Sequence, residues 1–168
     1  MIDPVLAHLE RDADAAVERL KAFVAIPSVS TDPAYAVEVT RAAQWIGDRL
    51  TEIGLETVVQ STEGHPIVIA RGGEPGCRTH FIYYGHYDVQ PPDPVDRWKT
   101  DPFTPVIEAG ALRGRGTSDD KGQVSCFVEA IAAWMAVHQR LPVRVTVLLE
   151  GEEECGSANL PRYLAAEA

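Results

Sequence analysis

The sequence lacks the features of a membrane protein, a disulfide-rich protein and a nucleic-acid-binding protein. No apolar run reaches the roughly 20 residues that cross a bilayer, and residues 1–4 lack the basic-then-apolar layout of a signal peptide. Cys77, Cys126 and Cys155 are odd in number and widely spaced, which predicts reduced thiols in a cytoplasmic protein. With 15 Lys and Arg against 25 Asp and Glu, the net charge of −10 predicts no nucleic-acid partner. The lack of a long apolar run predicts no membrane partner.

Several common catalytic motifs are also missing. The glycines at 114 and 116 are not followed by the third glycine of a dinucleotide fingerprint, and Lys121 lacks the spacing of a P-loop. The sequence contains neither a G-x-S-x-G nucleophile motif nor an H-E-x-x-H zinc motif. The function must therefore be sought in other residues.

The hydrophobic pattern predicts an α/β protein. A length of 168 residues with 45% hydrophobic residues is sufficient for one domain with a sizeable core. Helical or strand periodicity is seen in turn over residues 4–25, 33–53, 55–60, 66–70, 80–84, 119–137 and 143–149, with a last helix starting near Leu160 and a short hairpin over 106–113. We predict a three-layer sandwich with a mostly parallel, mixed central sheet and helices on both faces.

Three polar clusters follow predicted strands or glycine turns. His86 and Asp88 come directly after the strand at 80–84, Asp119 opens the helix at 119–137, and Glu153 and Glu154 follow the strand at 143–149. Ligands of open α/β sheets bind beyond the carboxyl ends of the strands. Intervals of 33 (119 − 86) and 35 (154 − 119) residues correspond to one structural unit each, so the clusters are expected to meet.

These residue types suit zinc or a similar ion, which binds imidazole nitrogen and carboxylate oxygen. In an extended segment His86 and Asp88 point to the same side, so Asp88 can accept a hydrogen bond from the non-ligating ring nitrogen. Asp119 can bridge two ions, and of Glu153 and Glu154 one can bind metal while the other accepts a proton.

Each cluster alone has a simpler interpretation. A histidine after a strand is usually a solvated loop residue, Asp119 and its neighbour can complement a helix dipole, and a run of glutamates is usually a solvated face. Their occurrence together favours the metal site. Cys155 can be a thiolate ligand, but a small buried thiol is the preferred interpretation.

The motifs together resemble those of the co-catalytic zinc exopeptidases. They comprise G-H-Y-D-V-Q-P at 85–91, Trp98 with P-F at 102–103, G-R-G and D-D-K-G at 114–122, and E-G-E-E-E-C-G-S at 150–157. That family includes aminoacylase, carboxypeptidase G, succinyl-diaminopimelate desuccinylase and carnosinase-like dipeptidases. The V-Q-P and D-D-K-G runs are most similar to the dipeptidase branch.

The resemblance implies a role for each matching residue. His86 would bind one zinc ion, Asp119 would bridge two, and Glu154 would bind the second. Asp88 would orient His86, and Glu153 would be the general base. The implied activity is hydrolysis of peptide or amide bonds of small peptides by a zinc-bridging hydroxide, with cobalt or manganese as alternative metals.

The sequence departs from the family in length. Family members supply a further Asp and a further His ligand, and a lid and dimerisation domain. The resemblance implies that residues 1–168 are the N-terminal portion of the catalytic domain, and that this chain alone is inactive. Two alternatives remain: an amidase or deacylase of N-acyl amino acids, and an inactive fragment that binds metal weakly. Unpaired sheet edges predict self-association.

Overall fold

The structure, a computed structural model that describes residues 2–74 and 76–167, confirms the order of elements predicted from the periodicity. The helices are α1 (Asp3–Val24), α2 (Ala36–Glu52), α3 (Lys121–His138) and α4 (Leu160–Ala166). The strands are β1 (Glu56–Gln60), β2 (Ile67–Gly72), β3 (His80–His86), β4 (Val106–Glu108), β5 (Ala111–Arg113) and β6 (Arg144–Glu150). Proline lies in the first turn of α1, and Gly54, which follows α2, has a positive φ of 93°; both placements are typical of helix ends.

The main sheet has the strand order β1-β2-β6-β3, and β4 pairs with β5 in a separate hairpin. The α/β fold with a mixed sheet is confirmed. The prediction that the sheet is mostly parallel is wrong. Only β3–β6 is parallel, and β1–β2 and β2–β6 are antiparallel. The short connection at 61–66 forces β1 and β2 into a hairpin, whereas β3 and β6 are joined through α3, the long crossover that a parallel pair requires.

Helices α2 and α3 cover the same face of the sheet. Gly47 of α2 lies against the side chains of Val59 and Val68, and Phe127 of α3 stacks on Tyr83 at a centroid distance of 3.9 Å. The register places these strand residues on one face. Helix α4 belongs to the opposite side, where Glu167 lies 3.6 Å from Arg71 of β2. Helices therefore occur on both faces, as predicted.

The cysteines differ in part from expectation. All three are free thiols, but Cys126 and Cys155 are exposed. The buried face of α3 is formed by Val124, Val128 and Ile131, so Cys126 lies outside it. Cys155 is exposed because it ends a short 3₁₀ turn after β6, which makes the buried-thiol interpretation wrong. The cytoplasmic location stays a prediction.

No helix among residues 2–74 and 76–167 is both long and apolar enough to cross a membrane.

A shared glutamate joins the three long helices. Glu129 of α3 accepts hydrogen bonds from Nε and Nη2 of Arg19 of α1, at 2.8 and 2.7 Å, and from Nη2 of Arg49 of α2 at 3.2 Å. The hydrogen bond from Arg19 to Glu129 raises the pKa of the arginine, against the opposing effect of burial. Arg19 also pairs with Asp12, and Arg49 with Glu52 at 3.6 Å, but the largely buried carboxylate of Glu129 is the partner that the two arginines share.

We predict that Glu129→Gln lowers the free energy of unfolding by about 2 kcal/mol, because two partly buried guanidinium groups lose their shared charge partner. Urea denaturation of the 168-residue chain measures the effect. The matched control is Glu18→Gln, which breaks an exposed pair with Lys21 and is expected to cost less than about 0.5 kcal/mol. Equal effects of the two substitutions would contradict the joining role of Glu129.

Strand β3 forms one edge of the sheet. Within the described residues it pairs on one side only, with β6. Three large side chains of β3 are exposed: Phe81 by 51%, Ile82 by 62% and Tyr84 by 49%. An unpaired edge that presents apolar side chains is a template for association with another strand. Self-association of this chain stays a prediction, and β3 is the strand on which it rests.

We predict that the apparent mass of the 168-residue chain rises with concentration, and that Ile82→Lys raises the dissociation constant by about tenfold or more, since association would bury an unpaired ammonium group. Analytical ultracentrifugation over a concentration series measures this. Val37→Lys, at a 76% exposed position of α2, is the control. A concentration-independent monomer would refute the prediction.

Candidate metal centre

His86 is the last residue of β3, and its side chain is buried where the strand ends. Its Nδ1 lies 3.3 Å from Oδ1 of Asp88 and 3.1 Å from the backbone oxygen of the same residue. The other ring nitrogen, Nε2, lies 3.1 Å from Oδ1 of Asp119. With Nδ1 held by Asp88, the ring directs Nε2 toward the Asp119 carboxylate, as the sequence predicted.

Asp88 is the most connected residue of this region. Its side chain is completely buried, and its carboxylate accepts hydrogen bonds from Ser30 Oγ at 2.5 Å and from the backbone N–H groups of Glu153 and Glu154 at 3.3 and 3.1 Å. One carboxylate thus joins the ring of His86 to the turn that follows β6. This second connection was not predicted from the sequence.

The segment that carries Ser30 is itself fixed to the strand end. Val29 forms a parallel bridge with Val89, Ser28 Oγ donates to the backbone oxygen of Tyr87 at 2.7 Å, and Val89 N donates to the backbone oxygen of Ser28 at 2.9 Å. Ser30 lies 58 residues before Asp88. No sequence signal identified it, because a lone serine after a helix has many common roles.

Two adjacent aspartates approach His86 from the start of α3. The Asp119 side chain is 71% exposed, and its Oδ1 faces the ring. Asp120 is buried and accepts a hydrogen bond from His86 N at 3.1 Å through Oδ2. Burial raises the pKa of Asp120, and the hydrogen bond from His86 opposes that effect. The sequence offered Asp120 only as part of a helix start, and its contact with the histidine backbone was missed.

The two predicted glutamates lie in different surroundings. Glu153 is 44% exposed, and its Oε2 lies 3.9 Å from His86 Nε2. Glu154 accepts a hydrogen bond from Gln90 Nε2 at 2.8 Å through Oε2. In the described part of the chain, no three or more His, Cys, Asp or Glu side chains are arranged to hold a metal ion. The structure brings His86, Asp119 and Glu153 together, while the carboxylate of Glu154 is bound to Gln90.

The negative charges around His86 favour a positive charge at its ring. Burial by itself lowers the pKa of His86, but the hydrogen bond to Asp88 and the charges of Asp88 and Asp120 outweigh it and raise the pKa to about 9. The ring is therefore protonated at neutral pH unless a metal ion replaces the proton. Imidazole and carboxylate donors of His86 and Asp119 fit zinc chemically, and the affinity of this pair for a metal must decrease as the pH falls.

Lys121 follows the two aspartates but serves the scaffold. Its side chain is fully buried, and Nζ donates to the backbone oxygens of Phe23 and Ile26 at 3.1 and 2.6 Å. Burial lowers the pKa of Lys121 to about 7. These contacts fix the first turn of α3, and with it Asp119 and Asp120, to the end of α1.

The sequence profile of "Peptidase family M20/M25/M40" matches residues 82–168 of the chain. This range contains His86, Asp88, Asp119, Glu153 and Glu154. Most of the metal-centre geometry described above therefore lies in the matched part, and Ser30 lies outside it.

This chain is similar in sequence or structure to three known enzymes. The chain is 35% identical to the Cys-Gly metallodipeptidase DUG1 of Candida albicans, over 99% of this chain and 38% of that protein. It is 33% identical to succinyl-diaminopimelate desuccinylase of Bordetella pertussis, over 84% of this chain and 35% of that protein. The crystal structure of human carnosine dipeptidase 1 superposes with a TM-score of 0.92 at 32% identity, covering 99% of this chain and 38% of that one. The chain thus spans little more than a third of the length of these relatives.

Proposed function

Because this chain belongs to peptidase family M20/M25/M40, we propose that it supplies the general base and part of the metal site of a dipeptidase-like hydrolase. The proposal rests on one observation, the convergence of Asp119 and Glu153 on Nε2 of His86. Since the matched relatives are much longer, the activity is proposed for a polypeptide of their length that contains these residues. The division into an N-terminal portion and a separate lid domain stays a prediction.

His86, Asp119 and Glu154 are proposed to hold the metal, with zinc as the expected ion and cobalt or manganese as alternatives. The fit at His86 and Asp119 is supported by their donor atoms and by the negative surroundings of the ring. For Glu154 the proposal requires its carboxylate to leave Gln90. When bound, zinc would polarise the substrate carbonyl and lower the pKa of water.

The remaining steps are assigned to this chain's own side chains. Asp88 would keep a proton on Nδ1 of His86, which leaves the Nε2 lone pair free to ligate. Glu153 would accept a proton from the attacking water and transfer it to the nitrogen of the leaving amine. Its partial exposure and its position beside Nε2, without a hydrogen bond that would hold the carboxylate elsewhere in the described residues, support this role.

A second candidate is an amidase or deacylase of N-acyl amino acids. The similarity to a succinyl-diaminopimelate desuccinylase favours it, because that reaction also cleaves an amide bond. The residues described above serve both reactions equally, and the match to the Candida albicans dipeptidase covers more of this chain (99%) than the match to the Bordetella pertussis desuccinylase (84%). We therefore place the dipeptidase first.

Substrate comparison with the zinc-loaded, family-length protein tests the proposal. We expect kcat/KM for Cys-Gly or carnosine to exceed that for succinyl-diaminopimelate by at least about tenfold. The reverse order would establish the deacylase instead. Hydrolysis of none of these compounds would overturn both functions. The 168-residue chain alone is expected to show no turnover, since its described part does not assemble three metal donors.

A further inference from the structure

A cavity of about 560 Å³ lies between the loop at 92–100 and the segment at 112–117. Both segments adjoin the metal centre in sequence: Pro92 follows Asp88 by four residues, and Thr117 precedes Asp119 by two. The cavity is lined by Arg97, Lys99, Arg113 and Arg115, which are four of the chain's 15 Lys and Arg residues. We call this cavity the cationic pocket.

The pocket concentrates positive charge in an acidic chain. Asp93 is the one acidic residue in its lining. Arg113 is paired with Glu108 at 2.8 Å. Among the described residues, Arg97, Lys99 and Arg115 have no carboxylate within ion-pair distance, although the chain carries 25 Asp and Glu. Three unneutralised cations that line one concave site raise the local concentration of anions.

The floor of the pocket is structurally fixed. Trp98 Nε1 donates to the backbone oxygen of Pro92 at 2.7 Å, which holds the loop closed. The Arg115 guanidinium lies 5.5 Å from the Trp98 ring centroid, and its Nη2 donates to the backbone oxygen of Pro91 at 3.2 Å. Its Nε is buried, whereas Nη1 is accessible and makes no hydrogen bond among the described residues. The planar guanidinium is thus held in place while Nη1 remains free to donate to an oxyanion.

We propose that the cationic pocket is a binding site for a small carboxylate or phosphate anion. Arg115 would provide the fixed guanidinium, and Arg97 and Lys99 would close over the anion from the loop. A carboxylate and a phosphate each present two oxygens that the N–H groups of an arginine can bind side by side. The site is separate from hydrolysis and does not depend on the proposed function.

The experiment is an NMR titration of the 168-residue chain with inorganic phosphate and, separately, with succinate, at constant ionic strength maintained with sodium chloride. The signals to follow are the indole N–H of Trp98 and the Nε–H of Arg115. We expect saturable shifts of both signals, and competition between the two anions. Saturation by only one anion would also support the site and would identify its ligand.

Two charge-matched variants decide between a site and general attraction. Arg97→Gln with Lys99→Gln removes two positive charges from the pocket and is expected to weaken binding roughly tenfold. Arg11→Gln with Arg78→Gln removes the same charge from exposed positions elsewhere and is expected to change binding less than about twofold. Equal weakening by both variants, or shifts of Trp98 and Arg115 that never saturate, would overturn the proposal.

Discussion

Glu153→Gln in the zinc-loaded, family-length protein is expected to lower kcat by about 10²–10⁴-fold, because an amide cannot accept the proton of the attacking water. The substitution conserves shape, and the Glu153 side chain is half exposed. Zinc content and the free energy of unfolding are therefore expected to remain unchanged. Steady-state kinetics with a dipeptide, together with metal analysis of the purified variant, give the result.

The neighbouring substitution provides the control. Glu154→Gln changes the same turn and the same charge, but it removes a proposed metal ligand. It is expected to lower zinc content together with activity, and added zinc should restore part of the loss. If Glu153→Gln lost zinc in the same way, or retained more than about a fifth of the activity, Glu153 would not be the general base.

Asp88→Ala in the 168-residue chain is expected to lower the free energy of unfolding by about 3–5 kcal/mol. The buried carboxylate accepts hydrogen bonds from Ser30, Glu153 and Glu154 and lies against the ring of His86. Its removal leaves buried donors without a partner, and each such donor costs about 1–3 kcal/mol. Urea denaturation followed by circular dichroism measures the change.

Asp119→Ala is the matched control, since it deletes a carboxylate that contacts the same histidine from an exposed position. It is expected to change stability by less than about 0.5 kcal/mol. A loss below about 1 kcal/mol for Asp88→Ala would show that Asp88 does not hold the region together. Its predicted role in orienting His86 would then also lose its support.

The sequence was informative where function depends on short spacing. The two-residue interval between His86 and Asp88 predicts their contact because side chains alternate along an extended segment, and the structure has that contact. The position of Asp119 beside the ring agrees with the interval of 33 residues from His86, one structural unit, which was expected to bring the two together. Both predictions need only local geometry and the order of the strands.

Contacts between distant segments could not be predicted in this way. Ser30 reaches Asp88 across 58 residues through a short bridge between Val29 and Val89, and nothing in its local sequence indicates that pairing. Similarly, the antiparallel placement of β2 beside β6 depends on how the β1–β2 hairpin packs under α2. The family resemblance implied Glu154 as a ligand, but its hydrogen bond to Gln90 depends on side-chain rotamers that sequence patterns do not determine.

His86 and Asp119 are proposed to form one arm of a metal centre. A zinc titration of the ¹⁵N-labelled 168-residue chain, following the ring nitrogens of its five histidines, tests this pairing. Nε2 of His86 is expected to take up the chemical shift of a metal-bound nitrogen, and Asp119→Asn is expected to weaken this response. Zinc-dependent shifts confined to the other four histidines, with His86 unchanged, would contradict it.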